Sequence, residues 1–449
     1  MKSITKKTYS TLSVTIILLL SSSCCSKVAN EPYLYDEGDQ DITVIQHGIL
    51  TDSATNIVYQ RDGKPLLNVK LQTPVVVAVA SKPEGWGYFQ FPRIYRSVGD
   101  QFVATWYYCA DDAVDYGKDM PFMLSTDKGK TWNSSDHPAP PGGLLLPGSG
   151  DRISLREPPS IKVSELELPQ PIASFNESYG RVITLYRMSE IPTVLQGIYL
   201  NRWDRNGVLS EIHAHLEESP QVLRYADNDV FPIALWGDMK LLPDNSVVAG
   251  VYPVFYENET GGFDASGISF YRSTDNGMNW KIRGKITYSY DPVIDPNGNK
   301  RLKDFGFSEP GFEILKDGTF LCVMRTDNGF GQGPMYLSRS SDQGITWSYP
   351  KPFTPSGALP RLLQLENGVL VLSAGRPGVQ IRFSLDGKGE TWTDPFNMLP
   401  YGDTCGYSDL LATGPDSFLV IYSDFRYLNQ DNEIRKAIKV REIKVTKNR

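Results

Sequence analysis

Polar turns cut the chain into short runs in which alternate residues are hydrophobic, the period of a β-strand. Six times, two such runs flank one turn, the pattern of a β-hairpin. These are "RIYRSVGDQFVATWYY" from Arg93, "FNESYGRVITLYR" from Phe175, "MKLLPDNSVVAGVY" from Met239, "FEILKDGTFLCVMR" from Phe312, "RLLQLENGVLVLSAGR" from Arg361 and "YSDLLATGPDSFLVIY" from Tyr407. Their turns recur at intervals of roughly 50 to 80 residues, room for one four-stranded antiparallel sheet each. Almost no stretch carries the 3.6-residue period of a long amphipathic helix.

A second repeat runs through the first. A box of the form S-x-D-x-G-x-T-W occurs as "STDKGKTW" (125–132), "STDNGMNW" (273–280) and "SSDQGITW" (340–347), and with one residue inserted as "SLDGKGETW" (384–392). "RWDRNG" (202–207) reads as a decayed copy. These residue types suit a tight turn: Asp accepts from nearby backbone N–H groups, Gly takes a left-handed conformation, and Trp packs into the sheet below. The boxes are read as structural. Six sheets with such turns predict an all-β fold, a six-bladed β-propeller with Asp-box turns, because radial packing removes most exposed sheet edges. "ITVIQHGIL" (42–50) is the expected outer strand of the sheet that holds "AIKVREIKV" (437–445). "PAPPGGLLLPGSGD" (138–151) is read as a loop, either roofing a pocket or merely connecting.

Composition adds limits. The 449 residues are 40% hydrophobic, enough for a large core, and no stretch has a disordered composition. Lys2, Lys6 and Lys7 precede the short apolar run "LSVTIILLLSSS", the pattern of an export signal too short to span a bilayer comfortably. It runs into "SSSCCSK", which resembles a bacterial lipoprotein signal with Cys24 lipidated and Cys25 as the alternative. The expected organisation is a signal peptide over 1–23, a tether over 24–40 and the propeller over 41–449. Such a chain is exported to the cell envelope and held to the membrane by its lipid anchor. Losing the three signal lysines takes the formal charge from −7 to −10. With no basic tract, nucleic acid is not an expected partner. An acidic substrate would need a local Arg cluster to overcome the net charge. Cys109, Cys322 and Cys405 are read as buried free thiols. His213 and His215 lack an evident third ligand, and the sequence has no phosphate loop, nucleophile elbow or H-E-x-x-H motif. No metal or cofactor is therefore expected.

Candidate chemistry gathers at the open ends of the hairpins. Glu309 lies eight residues before the Asp317-Gly318 turn and Arg325 seven after it, so the two are neighbours at one mouth. Arg93 opens the first hairpin, and Asp111, Asp112 and Asp115 lie beyond its second strand. Tyr407 opens the last. Arg382 stands one residue further from its box than Arg272 and Arg339 do from theirs, so its side chain points to the opposite face.

Together these segments resemble the sialidase (neuraminidase) superfamily over roughly residues 85–430. "SEPGFEILKDGTFLCVMR" is similar to the family segment with a Glu and an Arg sixteen residues on, here Glu309 and Arg325. "IRFSLDGKGETW" resembles the segment with the third family Arg, giving Arg382, and "GYSDL" the segment with the nucleophilic Tyr, giving Tyr407. "FPRIYR" departs from the family's aromatic-Arg-Ile-Pro motif but offers Arg93 as the counterpart. The acid is expected shortly after the first hairpin, where Asp115 and Asp112 both qualify and Asp119 is a further option. Arg361 and Arg376 also lie near a mouth and are alternatives to Arg382. The resemblance implies an exo-acting glycoside hydrolase that removes a terminal acidic sugar with retention through a Tyr nucleophile. Three guanidiniums would grip the sugar carboxylate. The neutral phenol would avoid charge repulsion, with Glu309 as its base and an Asp protonating the leaving oxygen. Two other readings stand beside it: a propeller glycosidase for another terminal sugar, for which fewer than three converging guanidiniums would argue, and a non-catalytic glycan-binding lipoprotein.

Overall fold

Burial patterns along the strands show how the sheets are stacked. Gln90–Arg96 and Ala358–Gln364, each the first strand of its sheet, alternate over most of their length. The second strands Phe102–Tyr107, Phe320–Thr326 and Leu370–Gly375 are buried at nearly every position. A strand covered on both faces reads as a continuous apolar run, and these segments do. The computed structural model describes residues 43–47, 53–177, 180–326, 333–399 and 404–448. The signal, the lipidation site and the tether lie outside the described residues.

Among the described residues the fold is all-β, with only four short 3-10 turns beside the strands. Five hydrogen-bonded sheets are present. Gln90–Arg96, Phe102–Tyr107 and Phe122–Ser125 form one of three strands, extended by a single bridge from Leu124 to Asn133. Phe307–Ile314, Phe320–Thr326, Met335–Ser340 and Lys351–Thr354 form a four-stranded sheet. Ala358–Gln364, Leu370–Gly375, Val379–Ser384 and Phe396–Asn397 form another. The largest sheet has thirteen strands. One run in it is Trp236–Leu241, Val247–Glu257, Phe263–Ser273 and Asn279–Ile286, each antiparallel to the next. A parallel pairing of His215–Glu217 with Asn279–Lys281 joins this to a second run: Leu144–Leu145, Arg152–Leu155, Ile198–Trp203 and Leu209–Glu217.

Two sequence expectations are corrected here. The segment 138–151 is not only a connection, because Leu144–Leu145 pairs with Arg152–Leu155 and starts a four-stranded run. The hairpin from Phe175 does form, with Ala173–Asn176 against Val182–Arg187, but it belongs to an insertion. Val182–Arg187 pairs with Val222–Asp227, which in turn meets the far end of Val247–Glu257. The prolines and glycines of 138–151 hid a strand only two residues long.

The chain ends meet in a seven-stranded sheet of Ser408–Gly414, Ser417–Leu428, Ile434–Lys447, Lys64–Leu71, Thr55–Arg61 and Thr43–His47, with Val75–Val79 off the main path. The strand beside Ile434–Lys447 is Lys64–Leu71, in register Leu67 to Lys447 and Leu71 to Ile443. Thr43–His47 joins the same sheet two strands further out, against Thr55–Arg61, and is its edge strand, the outer position expected for 42–50. The hydrophobic effect explains the choice, since Leu67, Val69 and Leu71 are fully buried against Phe418, Val420, Ile443 and Val445.

Each of the four boxes folds as the same turn. Ser125 Oγ donates to Asp127 Oδ1 at 2.8 Å and accepts from Gly129 N at 2.7 Å, while Trp132 Nε1 donates to the Gly129 carbonyl at 3.1 Å. The equivalent bonds recur around Asp275, Asp342 and Asp386. Asp204 keeps part of the pattern, accepting from Asn206 N and Val208 N. Arg202 replaces the Ser and pairs with Asp151 instead. Cys109, Cys322 and Cys405 are buried free thiols. His213 stacks on Tyr199 and hydrogen-bonds the Gln196 carbonyl.

First strands of successive sheets pack on one another: Trp236–Leu241 on Phe307–Ile314, this on Ala358–Gln364, this on Ser408–Gly414, and this on Gln90–Arg96. Arg152–Leu155 packs on Trp236–Leu241, and Tyr95 Oη donates to the Pro140 carbonyl at 3.0 Å. The approach is close: a Cβ on Gly311 would stand 2.2 Å from the Pro360 carbonyl oxygen, so only glycine fits.

Candidate active site

Three first strands carry the same irregularity. Phe91-Pro92, Glu309-Pro310 and Leu359-Pro360 each sit at a bulge, between the paired positions Gln90 and Arg93, Ser308 and Gly311, and Ala358 and Arg361. Phe91, Glu309 and Leu359 have φ of 50°, 46° and 40°. Non-glycine residues in this region cost about 1–3 kcal/mol each and persist where surrounding structure imposes them, commonly at functional sites. Proline tolerates the bulge because it has no N–H to pair. All three bulges open onto one cavity of about 590 Å³.

At its floor Tyr407 Oη donates to Glu309 Oε1. Arg325 Nη1 donates to the same carboxylate oxygen at 2.6 Å and to the phenolic oxygen at 3.2 Å. The other oxygen, Oε2, accepts from Leu359 N at 2.7 Å. Glu309 is 5% exposed and Arg325 8%, so this pair is withdrawn from water. Burial pushes the Tyr407 phenol well above its usual range; the Glu309 carboxylate adds to the shift, and Arg325 and Arg376 oppose it. The phenol is therefore neutral at rest, next to a carboxylate placed to take its proton.

Guanidiniums line the rest of the floor. Arg376 lies with its Cζ 5.5 Å from the Tyr407 ring centre and 5.9 Å from that of Trp86, and its Nε donates to the Cys405 carbonyl at 3.1 Å. Arg93 is exposed to the cavity from the strand Gln90–Arg96. Arg361 faces Asp409 at 3.6 Å, and Asp409 also accepts from Ile94 N at 3.1 Å. Arg181, from the insertion hairpin, is tied to Glu177 and Asp227. Neither Arg93 nor Arg376 makes an ion pair among the described residues.

The structure brings together Tyr407, Glu309, Arg325 and Arg93 as the sequence reading expects. It does not bring in Arg382, which is buried on the third strand of its sheet and is absent from the cavity lining. Alternation did turn Arg382 to the opposite face from Arg272 and Arg339, but a third strand lies too far out to reach the cavity. Arg361 and Arg376 line it instead. The expected acids Asp112 and Asp115 also fall outside. Asp112 caps the 3-10 turn Ala113–Asp115 through Val114 N, and Asp115 pairs with Lys118. Asp119 is exposed and likewise not part of the lining. Of the aspartates in this segment it is Asp111 that lines the cavity, and its Oδ2 accepts from Trp86 Nε1 at 2.9 Å. Burial raises its pKa, an effect that Trp86 and Arg181 oppose.

Sequence reasoning missed the opposite wall. Glu157 accepts from Tyr107 Oη at 2.5 Å. Tyr116, Trp236 and Tyr252 make an aromatic face, with Trp236 5.1 Å from the Tyr116 ring and 6.0 Å from that of Tyr252. Tyr116, Glu157 and Trp236 lie between the predicted hairpins. The x-Pro step near the start of a first strand was a readable signal for Phe91, Glu309 and Leu359.

No protein-family model matches the sequence, and no curated protein does. Among solved structures, the chain resembles a protein of unknown function from Dyadobacter fermentans, with 14% identity over 84% of this chain and 99% of that one and a TM-score of 0.52. That likeness is one of fold. An α-L-arabinanase from Penicillium chrysogenum, complexed with arabinobiose, is 18% identical over 82% of this chain and 98% of that one, with a TM-score of 0.45. A Trypanosoma rangeli sialidase, complexed with the inhibitor DANA, is 13% identical over 82% of this chain and 59% of that one, with a TM-score of 0.41.

Proposed function

We propose that the protein is an exo-acting glycoside hydrolase on a six-bladed β-propeller, removing a terminal sugar that carries a carboxylate. The thirteen-stranded sheet contains two four-stranded antiparallel runs, which with the other four sheets makes six blades. The observation that carries the activity is the contact of Tyr407 with buried Glu309 while Arg325 holds both. A phenol needs a base to become a nucleophile near neutral pH, and here the base is already hydrogen-bonded to it.

In this reading Glu309 takes the Tyr407 proton as the phenolic oxygen bonds to the anomeric carbon. Asp111 gives its proton to the departing oxygen as the glycosidic bond breaks. Asp111, now ionised, then draws a proton from water, whose oxygen attacks the anomeric carbon and frees Tyr407, which recovers its proton from Glu309. Two displacements retain the anomeric configuration. Arg93, Arg376 and Arg325 are the groups proposed to bind the sugar carboxylate, with charge-assisted hydrogen bonds that outweigh the net negative charge of the protein. The chain is further proposed to act from the cell envelope, exported and anchored through Cys24.

One observation favours a second reading. Of the five guanidiniums in the cavity, Arg181, Arg325 and Arg361 each already face a carboxylate. A propeller glycosidase for another terminal sugar, with Glu309 and Asp111 as its carboxylate pair, would need only the remaining two. Incubation of the purified protein with a fluorogenic α-sialoside, beside the Tyr407→Phe variant, separates the readings. Sialic acid release lost in the variant supports the first. No release from a folded protein, with turnover of a neutral or uronic glycoside, supports the second. Binding without turnover of any sugar would leave a glycan-binding module.

A further inference from the structure

The segment ahead of the first bulge is fastened to the one that bears Asp111. Trp86 gives its indole N–H to Oδ2 of Asp111 at 2.9 Å. The next residue, Gly87, has φ of 90° and lies so close that a Cβ there would stand 2.1 Å from the Cys109 carbonyl oxygen and 2.6 Å from Asp111 N. Backbone and side chain thus both hold residues 86–87 against 109–111. Trp86 is nevertheless 50% exposed, with its ring edge-on to Phe91 at 6.3 Å and under the Arg376 guanidinium at 5.9 Å. A large aromatic left half in solvent at a cavity wall, with its one polar atom on a carboxylate, is not explained by core packing.

We infer that Trp86 is a positioning residue for Asp111, occupying Oδ2 so that the proton passed to the leaving oxygen is carried on Oδ1. The inference rests on the reading of Asp111 as the acid. Indole N–H is a donor only, and the carbonyl oxygen of a protonated carboxyl accepts it better than the hydroxyl oxygen does, so the contact at Oδ2 favours the proton on Oδ1. The proton therefore sits on Oδ1, moves to the glycosidic oxygen as the carbon–oxygen bond breaks, and leaves Asp111 ionised with Trp86 still bonded to Oδ2. That bond stabilises the carboxylate, so it also limits how far burial lifts the pKa of Asp111. The charged and titratable groups facing Asp111 are Arg181, Arg376, Glu309, Tyr116 and Cys109. All of these remain when Trp86 alone is changed.

The test compares leaving groups in wild type and Trp86→Phe, which keeps a ring and loses the donor. A 4-methylumbelliferyl glycoside departs with little protonation, whereas an alkyl glycoside of the same sugar depends on it. The expected result is a loss of kcat/KM about 10- to 100-fold greater for the alkyl glycoside. The alkaline limb of its pH profile should move to higher pH, because without the donor Asp111 keeps its proton longer. Equal losses on both substrates, or an unmoved limb, would overturn the inference while leaving the hydrolase reading intact. A second measurement does not need turnover: NMR titration of carbon-labelled aspartate in the full chain. It should show Asp111 titrating higher in Trp86→Phe than in wild type, and an unchanged titration overturns the inference even if the wild type cleaves neither substrate. That inactivity would count against the proposed function alone.

Discussion

Tyr407 gives its phenolic hydrogen to Oε1 of Glu309, the same oxygen that Arg325 holds at 2.6 Å. The two acidic groups come from sheets packed through the strand Ala358–Gln364, whose Leu359 N fixes the other Glu309 oxygen at 2.7 Å. Three strands thus converge on one carboxylate.

That convergence separates chemistry from stability. Tyr407→Phe keeps the ring that packs 4.8 Å from Phe91 and removes only the nucleophilic oxygen. Turnover is expected to fall by at least about 10²-fold, with stability changed by less than about 1.5 kcal/mol. Glu309→Ala should do more damage than Glu309→Gln. Both remove the charge that faces Arg325, but Ala also removes the two oxygens that accept from Arg325 Nη1 and Leu359 N, at a cost of about 3–5 kcal/mol, whereas Gln keeps one oxygen. Urea denaturation beside initial rates checks both. A Tyr407→Phe variant with wild-type rates would remove the nucleophile assignment.

Asp111 should show a trade between activity and stability. Its pKa is raised chiefly by burial, so the folded state favours the neutral acid. A carboxyl with a raised folded pKa contributes stability below its unfolded pKa of about 3.9. That contribution is lost as pH rises through the folded value. Asp111 keeps solvent contact at the cavity wall, which screens the effect, so at neutral pH the ionised group is only a small burden on the fold. Asp111→Asn is expected to raise the melting temperature at pH 7, narrow that gain near pH 3, and lower turnover of alkyl glycosides by about 10²–10⁴-fold. Melting curves at the two pH values decide the first part, and a lower melting temperature at pH 7 would contradict it.

Much of this was legible from residues alone. The hairpins and boxes repeat because each sheet has the same inside-outside alternation and the same turn chemistry, and both are local signals. Glu309 and Arg325 were found for the same reason: they flank one turn, so their proximity follows from strand pairing. What was not legible depends on depth from the cavity and on bulges. Arg382 had the right face but the wrong strand. Asp112 and Asp115 were preferred to Asp111 although all three lie within five residues, because a turn's direction decides which one enters the cavity. The two-residue strand Leu144–Leu145 gave too short an alternation to register, and which N-terminal strand lies directly beside Ile434–Lys447 carries no local mark.

Arg93 and Arg376 lack carboxylate partners among the described residues, and this predicts a substrate-dependent loss. Arg376→Ala and Arg93→Ala should each raise KM for a carboxylated glycoside. Charge-assisted bonds of this kind contribute about 1.5–3 kcal/mol, or about 10- to 100-fold. On a neutral glycoside of the same aglycone the effect should be within about threefold. Arg382→Ala should change neither KM, since Arg382 is outside the cavity. Steady-state kinetics on the paired substrates test this, and equal losses on both would point to a structural role.

The box turns should be felt at low pH. Asp342 accepts from Ser340 Oγ, Ile345 N, Thr346 N and Thr346 Oγ1, and these bonds pull its pKa down to about 2. A depressed folded pKa gives stability that is present above the unfolded value of about 3.9. It is lost as pH falls through about 2. Asp342→Ala is expected to cost about 1–2 kcal/mol near pH 6, as loss of a side-chain cap does. The gap to wild type should shrink between pH 4 and pH 2. Urea midpoints across that range test it, and a gap independent of pH would mean that the carboxylate's charge contributes nothing.

The terminal sheet makes the last strand depend on residues far upstream. Lys64–Leu71 covers Ile434–Lys447, and Leu67, Val69, Ile443 and Val445 are fully buried in one core. Leu67→Ala should cost about 2–5 kcal/mol through lost burial and the cavity left behind. Val98→Ala, at a half-exposed turn position, should cost less than about 0.5 kcal/mol. Amide exchange should then rise first in Ile434–Lys447, because its ladder to Lys64–Leu71 loosens before the inner pairing with Ser417–Leu428. If exchange in Ile434–Lys447 stays at wild-type levels while stability falls, the two chain ends are not holding each other. Uniform acceleration across all sheets would instead mean that the fold opens as one cooperative unit, with no weaker seam at this junction.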